Sequence, residues 1–487
     1  MDSDSEDELT FLATAGPIDE HTDAKMLRHQ LLTSPLTAHA AVKRNPKDFP
    51  SRGLIGTSAG ERVYFNTNAP SSTVICGVQG SGKSHTVSCI LESALITDSR
   101  VGKLPEPLSA LVFHFDTQDS DRPCEAAFLS TTAPHVNDVL VPRITVLCSP
   151  SNVARRRRAY AGLPHVKVEP LCLSEKDFTA NRMLAIMGCD NIEKMPLYMH
   201  TALLIIRRMG VERFSYQTFK RKLDEEKLDF KQKSMIELRL NLLDAFIKPG
   251  ARKIDSYFSP GGIVLVDLTD PFLDGVTAAL FFDIVLSTFT QWQTGCGKLI
   301  VLDEAHKYLT NDDSARLTQS LGNTIRLQRH LGVRIIIATQ EPTVVPATIL
   351  DLTSTIICHR FSSPAWCTHL ARHVSVSKRG KNNSDSAADS DEWFEKLMSL
   401  PTGHALVFSP AAVIGVKASS GKGGGGAVLL GKGYLQLRVR PRLTSDGGAS
   451  VLAVSAANSE SEESSDSDGS SGSAQQWQTQ TSRRRRV

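Results

Sequence analysis

Gly77-Val78-Gln79-Gly80-Ser81-Gly82-Lys83-Ser84 fits G-x-x-x-x-G-K-[ST] at every fixed position. The run before it, Ser72-Thr73-Val74-Ile75-Cys76, is β-branched and apolar, as a buried strand is. After it, residues 85–95 continue as a helix with Val87, Ile90, Leu91 and Ala94 on one face. Strand, glycine loop and helix together make the motif a phosphate site. The glycines let backbone N–H groups converge on phosphate oxygens at a helix N-terminus, whose dipole favours negative charge. Lys83 is then expected on the β- and γ-phosphates and the Ser84 hydroxyl on Mg²⁺. Gly77, Val78, Gln79, Gly80, Ser81, Gly82 and His85 complete the expected cradle. The ligand is a nucleoside triphosphate, taken as ATP with Mg²⁺.

A second signal follows in Lys298-Leu299-Ile300-Val301-Leu302-Asp303-Glu304-Ala305-His306, an apolar strand ending in two adjacent carboxylates. Successive strand side chains point to opposite faces, so the pair should serve different roles. Asp303 is expected in the Mg²⁺ shell and Glu304 on the attacking water. In Arg334-Ile335-Ile336-Ile337-Ala338-Thr339-Gln340 an amide leaves the end of another apolar strand. Gln340 is placed to bond a γ-phosphate or the attacking water and so to sense the nucleotide. The letters D-E-A-H also suggest DEAH-box RNA helicases. Those need S-A-T and Q-x-x-G-R-x-G-R segments, which this sequence lacks.

Apolar, β-rich runs recur at residues 73–76, 110–115, 144–147, 263–268, 299–302, 334–338 and 355–358. Several are continuous rather than alternating, as strands buried on both faces of a parallel sheet are. Amphipathic segments at 275–292 and 314–330 lie between them. Strand–helix alternation with the glycine loop after the first core strand predicts a three-layer α/β core. Residues 176–250 contain no strand signal, and 197–209 and 233–247 carry helical spacing, so a helical insertion is expected there. A polar, mobile loop is expected at 374–392, and Gly421-Lys422-Gly423-Gly424-Gly425-Gly426 reads as a linker because it lacks G-K-[ST].

The expected domain layout is an acidic, largely disordered lead-in over 1–50 with one helix near 24–32, an ATPase domain over 51–442, and a disordered tail over 443–487. Residues 1–8 hold five acidic groups, 459–468 read S-E-S-E-E-S-S-D-S-D, and the chain closes on Arg483-Arg484-Arg485-Arg486. Such segments carry too little apolar surface to offset the entropy of ordering them. Between them the body holds 51 basic against 42 acidic residues, a surplus that permits a polyanionic partner without requiring one. Nine cysteines stand singly with no C-x-x-C pair, which fits a reducing intracellular compartment and supports neither a disulfide framework nor a zinc site. No apolar run reaches a membrane span, and the terminal Arg run slightly favours the nucleus over the cytoplasm.

Leu299 to Leu309 (L-I-V-L-D-E-A-H-K-Y-L) and Gly332 to Pro342 (G-V-R-I-I-I-A-T-Q-E-P) resemble the HerA/FtsK superfamily of P-loop ATPases. The resemblance continues through Val345-Pro346-Ala347-Thr348-Ile349-Leu350, through Ile263-Val264-Leu265-Val266-Asp267-Leu268 and, as a closing strand, through Leu400-Pro401-Thr402-Gly403-His404-Ala405-Leu406-Val407-Phe408. It covers roughly residues 52–442, and the overall look is closest to uncharacterised fungal P-loop proteins. It implies a RecA/FtsK-like core, ATP hydrolysis, and a homo-oligomeric ring that moves DNA or protein through a channel. A ring implies an arginine donated across the subunit boundary, for which Arg326 and Arg329 are candidates, with Arg360 beside them. Two departures stand out: no recognisable β-barrel module precedes the loop, and the 176–250 insertion is large.

Arg155-Arg156-Arg157-Arg158 and the terminal Arg run are the basic clusters available for nucleic-acid phosphates. Aromatic residues make up only 6% of the chain, so no stacking platform supports them. The competing expectation is a nucleotide-gated regulatory or scaffolding protein with little turnover.

Overall fold

Two hydrophobic cores lie on opposite faces of one sheet, and strand residues alternate between them. The computed structural model describes residues 20–448 except 118–120, 176–179, 181–182, 184–196, 211–213, 227, 249, 314, 375–392 and 418–425. The strands before the glycine loop are β1 (Leu36–Ala38), β2 (Arg52–Ser58), β3 (Glu61–Phe65) and β4 (Ser72–Cys76). Then come β5 (Gly102–Lys103), β6 (Ser109–His114), β7 (Ile144–Cys148), β8 (Val166–Pro170) and β9 (Ile263–Asp267). The last are β10 (Lys298–Leu302), β11 (Val333–Thr339), β12 (Thr355–His359), β13 (His404–Phe408), β14 (Val413–Val416), β15 (Ala427–Leu429) and β16 (Leu435–Val439).

The centre of the sheet is parallel, in the order β12-β4-β11-β10-β6-β9-β7-β8. All seven expected core strands are here, together with β8. Val74, Leu111, Phe113, Ile300, Leu302, Ile335 and Ile337 face one core, and Ile75, Ala110, Val112, Leu299, Val301 and Ile336 face the other. Each Val, Leu, Ile or Phe among them removed from water contributes about 1.5–3 kcal/mol, which is why these runs are apolar on both faces. The helix Lys83–Leu95 covers the second face, while Gly275–Gln291 and Arg316–Arg326 cover the first. The architecture is the expected three-layer α/β core. The amphipathic stretch after β10 breaks at Leu327 into Arg316–Arg326 and Gln328–Leu331.

The insertion is helical where it is described, in Leu197–Met209, Tyr216–Asp224 and Phe230–Phe246. It joins the first core rather than standing apart. Phe246 stacks on Phe281 with ring centroids 3.9 Å apart, a pairing that adds about 0.5–1.5 kcal/mol to plain burial.

Beyond β12 the sheet becomes an antiparallel wing, running through β13, β16, β2, β3 and β1. β14 then pairs with β1 in parallel, and β15 forms the edge. The closing strand expected within Leu400 to Phe408 is β13, the first strand of this wing; the other strands were not foreseen, because they come from both ends of the domain and none is a long continuous apolar run. The wing also alters the expected boundaries. Residues 20–50, read as part of a largely disordered lead-in, hold the helix Glu20–Thr33 and β1, and Leu31, Ala41, Val42 and Phe49 share a small core with Tyr64 and Val413. Residues 443–448, read as tail, stay with the body: Leu443 and Thr444 are buried, and the N–H of each donates to the Glu92 carboxylate, at 2.9 and 2.8 Å.

The acidic start, residues 375–392 of the polar loop, Gly421 to Gly425, Cys189 and the tail from 449 lie outside the described residues. Among the described residues no helix is long and apolar enough to cross a membrane.

Candidate active site

Parallel pairing delivers the strand ends to one edge. Cys76 lies beside Thr339 and Cys358, and Leu302 beside Phe113 and Ile337. The residues that follow, Gly77, Gln340, His359, Asp303 and His114, therefore meet at that edge.

The glycine loop is shaped by its neighbours. Gly77 has φ +152°, and a Cβ there would lie 2.7 Å from both His359 Cβ and Ser81 Oγ. Gly82 caps the helix Lys83–Leu95 at φ 110°, a conformation open to glycine. The loop is pinned from outside: the Val78 N–H donates to the Arg360 carbonyl at 3.0 Å, and the Gly403 N–H donates to the Ser81 carbonyl at 3.3 Å. Ser81 Oγ and Lys83 Nζ both donate to the Val78 carbonyl, at 2.7 and 3.2 Å. Lys83 is buried, and burial lowers its pKa while Glu304 and Asp303 oppose that shift. The N–H groups of Lys83, Ser84 and His85 open a helix and have no intrahelical carbonyl to reach, as a phosphate cradle requires. The His85 ring is turned elsewhere, since its Nε2 lies 2.8 Å from the Arg440 carbonyl oxygen. Only its backbone is left for the expected phosphate role.

His359 lies between this loop and the neighbouring strand. Its Nδ1 donates to the His404 carbonyl at 3.0 Å, which leaves Nε2 to accept from Thr86 Oγ1 at 2.9 Å. Burial pushes its pKa down to about 4, so the ring is neutral.

The carboxylates diverge as their strand position dictates. Asp303 is buried, and its Oδ2 lies 3.3 Å from His114 Nδ1 and 3.8 Å from Cys124 Sγ. Burial raises its pKa, but the bond and charge of His114, with Lys83 and Lys307, hold it below the usual carboxylate range. His114 is half-buried, which opposes its charge, yet Cys124 and Asp303 keep its pKa well above the imidazole range. Ser84 and Asp303 line one small cleft with Glu125, an oxygen-rich setting that suits a hard cation. Glu304 adopts φ 49° and ψ 44°, a left-handed conformation that costs a non-glycine residue about 1–2 kcal/mol. Its Oε2 accepts a 2.8 Å hydrogen bond from Gln340 Nε2. Two residues read as acting on the same water are thus in direct contact.

The arginines separate. Arg360 follows β12 at the loop edge and is exposed. Arg326 and Arg329 are exposed and precede β11, at the opposite edge of the sheet. A strand as long as β11 spans roughly 20 Å, more than an arginine side chain reaches. Neither arginine can touch the phosphates of its own loop. In the internal basic run, Arg156 is buried and 3.5 Å from Asp267, and Arg155 pairs with Asp121 at 2.7 Å. Arg157 and Arg158 are left as its exposed pair, so this run is half structural rather than a patch for polyanions.

His114, Cys124, Glu125 and His359 were missed by the sequence reading. His114 and His359 had a local signal, as single polar residues ending apolar strands. Cys124 and Glu125 had none.

No family model matches this chain, and no curated protein does. The chain is similar to the plasmid coupling protein TrwB in complex with a non-hydrolysable ATP analogue, with 12% identity over 84% of this chain and 96% of that chain and a TM-score of 0.44. It is also similar to the genome packaging NTPase B204 from Sulfolobus turreted icosahedral virus 2 in complex with ATP-γ-S, with 11% identity over 70% of this chain and 92% of that chain and a TM-score of 0.31.

Proposed function

We propose that this protein binds and hydrolyses ATP at the edge shared by Gly77 to Ser84, Asp303, Glu304 and Gln340. The observation that carries the reading is the 2.8 Å bond from Gln340 to Glu304 on the same sheet edge as the buried Lys83. Lys83 and the first N–H groups of its helix hold the β- and γ-phosphates. Glu304, turned out of line by its left-handed backbone and held by Gln340, accepts a proton from a water as its oxygen attacks the γ-phosphorus and ADP leaves. Mg²⁺ fits the residues present: Ser84 and Asp303 would hold it, with His114 orienting the Asp303 carboxylate. When bound, the ion neutralises charge on the phosphate oxygens.

The finer reading is a homo-oligomeric HerA/FtsK-type motor acting on DNA. It is supported by the motif resemblance and by Arg326 and Arg329, which lie too far from their own loop but are exposed for a neighbour's. Arg360 is the alternative within one chain. ATP turnover measured with and without DNA, for the wild type and Glu304→Gln, tests both levels. Hydrolysis that Glu304→Gln leaves intact rejects the site. Turnover independent of DNA and of protein concentration rejects the motor and favours a nucleotide-gated regulator.

A further inference from the structure

Lys298 opens β10, and Arg334 is the second residue of β11, so both lie at the sheet edge away from the glycine loop. They are 6% and 5% exposed. Their hydrogen-bond partners are backbone carbonyls: Lys298 Nζ donates to Thr290 at 2.8 Å, and the Arg334 guanidinium donates to Gly332 at 2.7 Å and to Asn68. Arg334 Nε has no partner. Among the described residues neither side chain meets a carboxylate. Buried cations are normally paired with an opposite charge, because leaving water uncompensated is costly. Burial alone holds Arg334 down at about 10 and lowers Lys298 as well.

Both side chains line a cleft of about 440 Å³ together with Arg329, His330 and Trp292. No Asp or Glu lines it. Arg329 and His330 are exposed at its mouth, so basic side chains run from the surface to the buried floor.

We infer that this cleft binds the phosphate group of a phosphate-bearing ligand, at a site separate from the glycine loop. A phosphate supplies what the cleft lacks, a compact double negative charge with several acceptor oxygens. Lys298 meets it as a point charge, Arg334 adds a second buried positive charge, and the exposed Arg329 guanidinium adds directed hydrogen bonds. The inference does not depend on hydrolysis at the other edge.

The test uses the full chain carrying Lys83→Ala, which weakens phosphate capture at the glycine loop. Inorganic phosphate and pyrophosphate are titrated by calorimetry and thermal melting at fixed ionic strength, with sodium chloride as the control. Saturable binding and a rise in Tm are expected. Adding Lys298→Met should weaken binding at least tenfold and leave the ligand-free Tm unchanged or higher, because an unpaired buried cation is removed. Adding Arg329→Ala, at an exposed position, should weaken binding at least threefold with no change in ligand-free Tm. A short DNA duplex that displaces phosphate identifies the source as a nucleic-acid backbone, and failure to displace it identifies a free phosphate or small phosphoester. The inference is overturned if phosphate does not bind, if both added substitutions leave binding unchanged, or if Lys298→Met lowers the ligand-free Tm as loss of a purely structural residue would.

Discussion

Replacing Gln340 by Ala removes the 2.8 Å hydrogen bond that its amide gives to Glu304 Oε2. The acceptor side chain leaves a backbone at φ +49°, so its direction depends on that anchor more than it would in regular structure. A hydrogen bond to a charged group contributes about 1.5–3 kcal/mol. Lost wholly from the transition state, that slows hydrolysis roughly 10- to 150-fold. In the proposed site nucleotide binding rests on Lys83 and the first N–H groups of the helix, so affinity should change by less than about threefold, under 1 kcal/mol. Single-turnover hydrolysis with protein in excess reads the first quantity, and equilibrium binding of a fluorescent ATP analogue reads the second. Gln340→Glu sets a second carboxylate against Glu304, and its loss should exceed that of Gln340→Ala and shrink as pH is lowered. Wild-type turnover in Gln340→Ala would refute the reasoning, as would a large loss of affinity with unchanged turnover.

Glu304→Gln keeps the shape but not the charge that, in the proposed site, takes the water's proton, so it should bind ATP and cleave it on the order of a hundredfold more slowly, measured as trapped ATP after gel filtration. Lys83→Ala should lose binding itself, seen as loss of the fluorescent-analogue signal with an unchanged circular dichroism spectrum. Glu92 is buried and accepts from Arg440 Nη1 at 2.6 Å and from Leu443, Thr444 N–H and Thr444 Oγ1. Removing one member of a buried pair costs about 3–5 kcal/mol, so Glu92→Gln should lower the denaturation midpoint, and a chain ended at residue 442 should melt below one ended at 448. His359 is held down at about 4 from an ordinary 6.5. The unfolded chain therefore takes up a proton that the native ring refuses, and stability falls as pH drops from about 6.5 to 4, by at most about 3 kcal/mol. His359→Asn should flatten that part of the stability–pH curve, and an unchanged slope would show that another group sets it.

The glycine loop, the carboxylate pair and Gln340 were legible because each sits at the end of a locally apolar run, where strand period and motif spacing speak together. The central sheet was legible for the same reason: runs such as 299–302 and 334–338 are apolar on both faces. Contacts made across strands were not. His114 reaches Asp303 only because Phe113 is in register with Leu302, and His359 reaches the loop only because Cys358 is in register with Cys76. Register between strands hundreds of residues apart leaves no local trace. The run at 155–158 misled for the converse reason, since four consecutive arginines on a short helix must face different ways, and one of them faces the core. Residues 443–448 read as tail because Leu443 is their one large apolar residue; it packs with Ile96, Val101, Ala133 and Val136, while hydrogen bonds to Glu92 and Glu125 hold Thr444 and Gly447.

The place of β16 between β13 and β2 has a consequence for synthesis. β2 reaches the central sheet through a strand made almost 380 residues later in the chain. At ribosomal speeds of about 5–20 residues per second, that is a wait of roughly 20–75 s. During it the N-terminal hairpin of β2 and β3 can form, but the β2 edge has no neighbour except the two-residue β5. An open edge is a template for wrong pairing. The nascent chain thus carries an adhesive strand through most of its translation, and its safe folding depends on that edge being kept apart from other chains until β16 arrives.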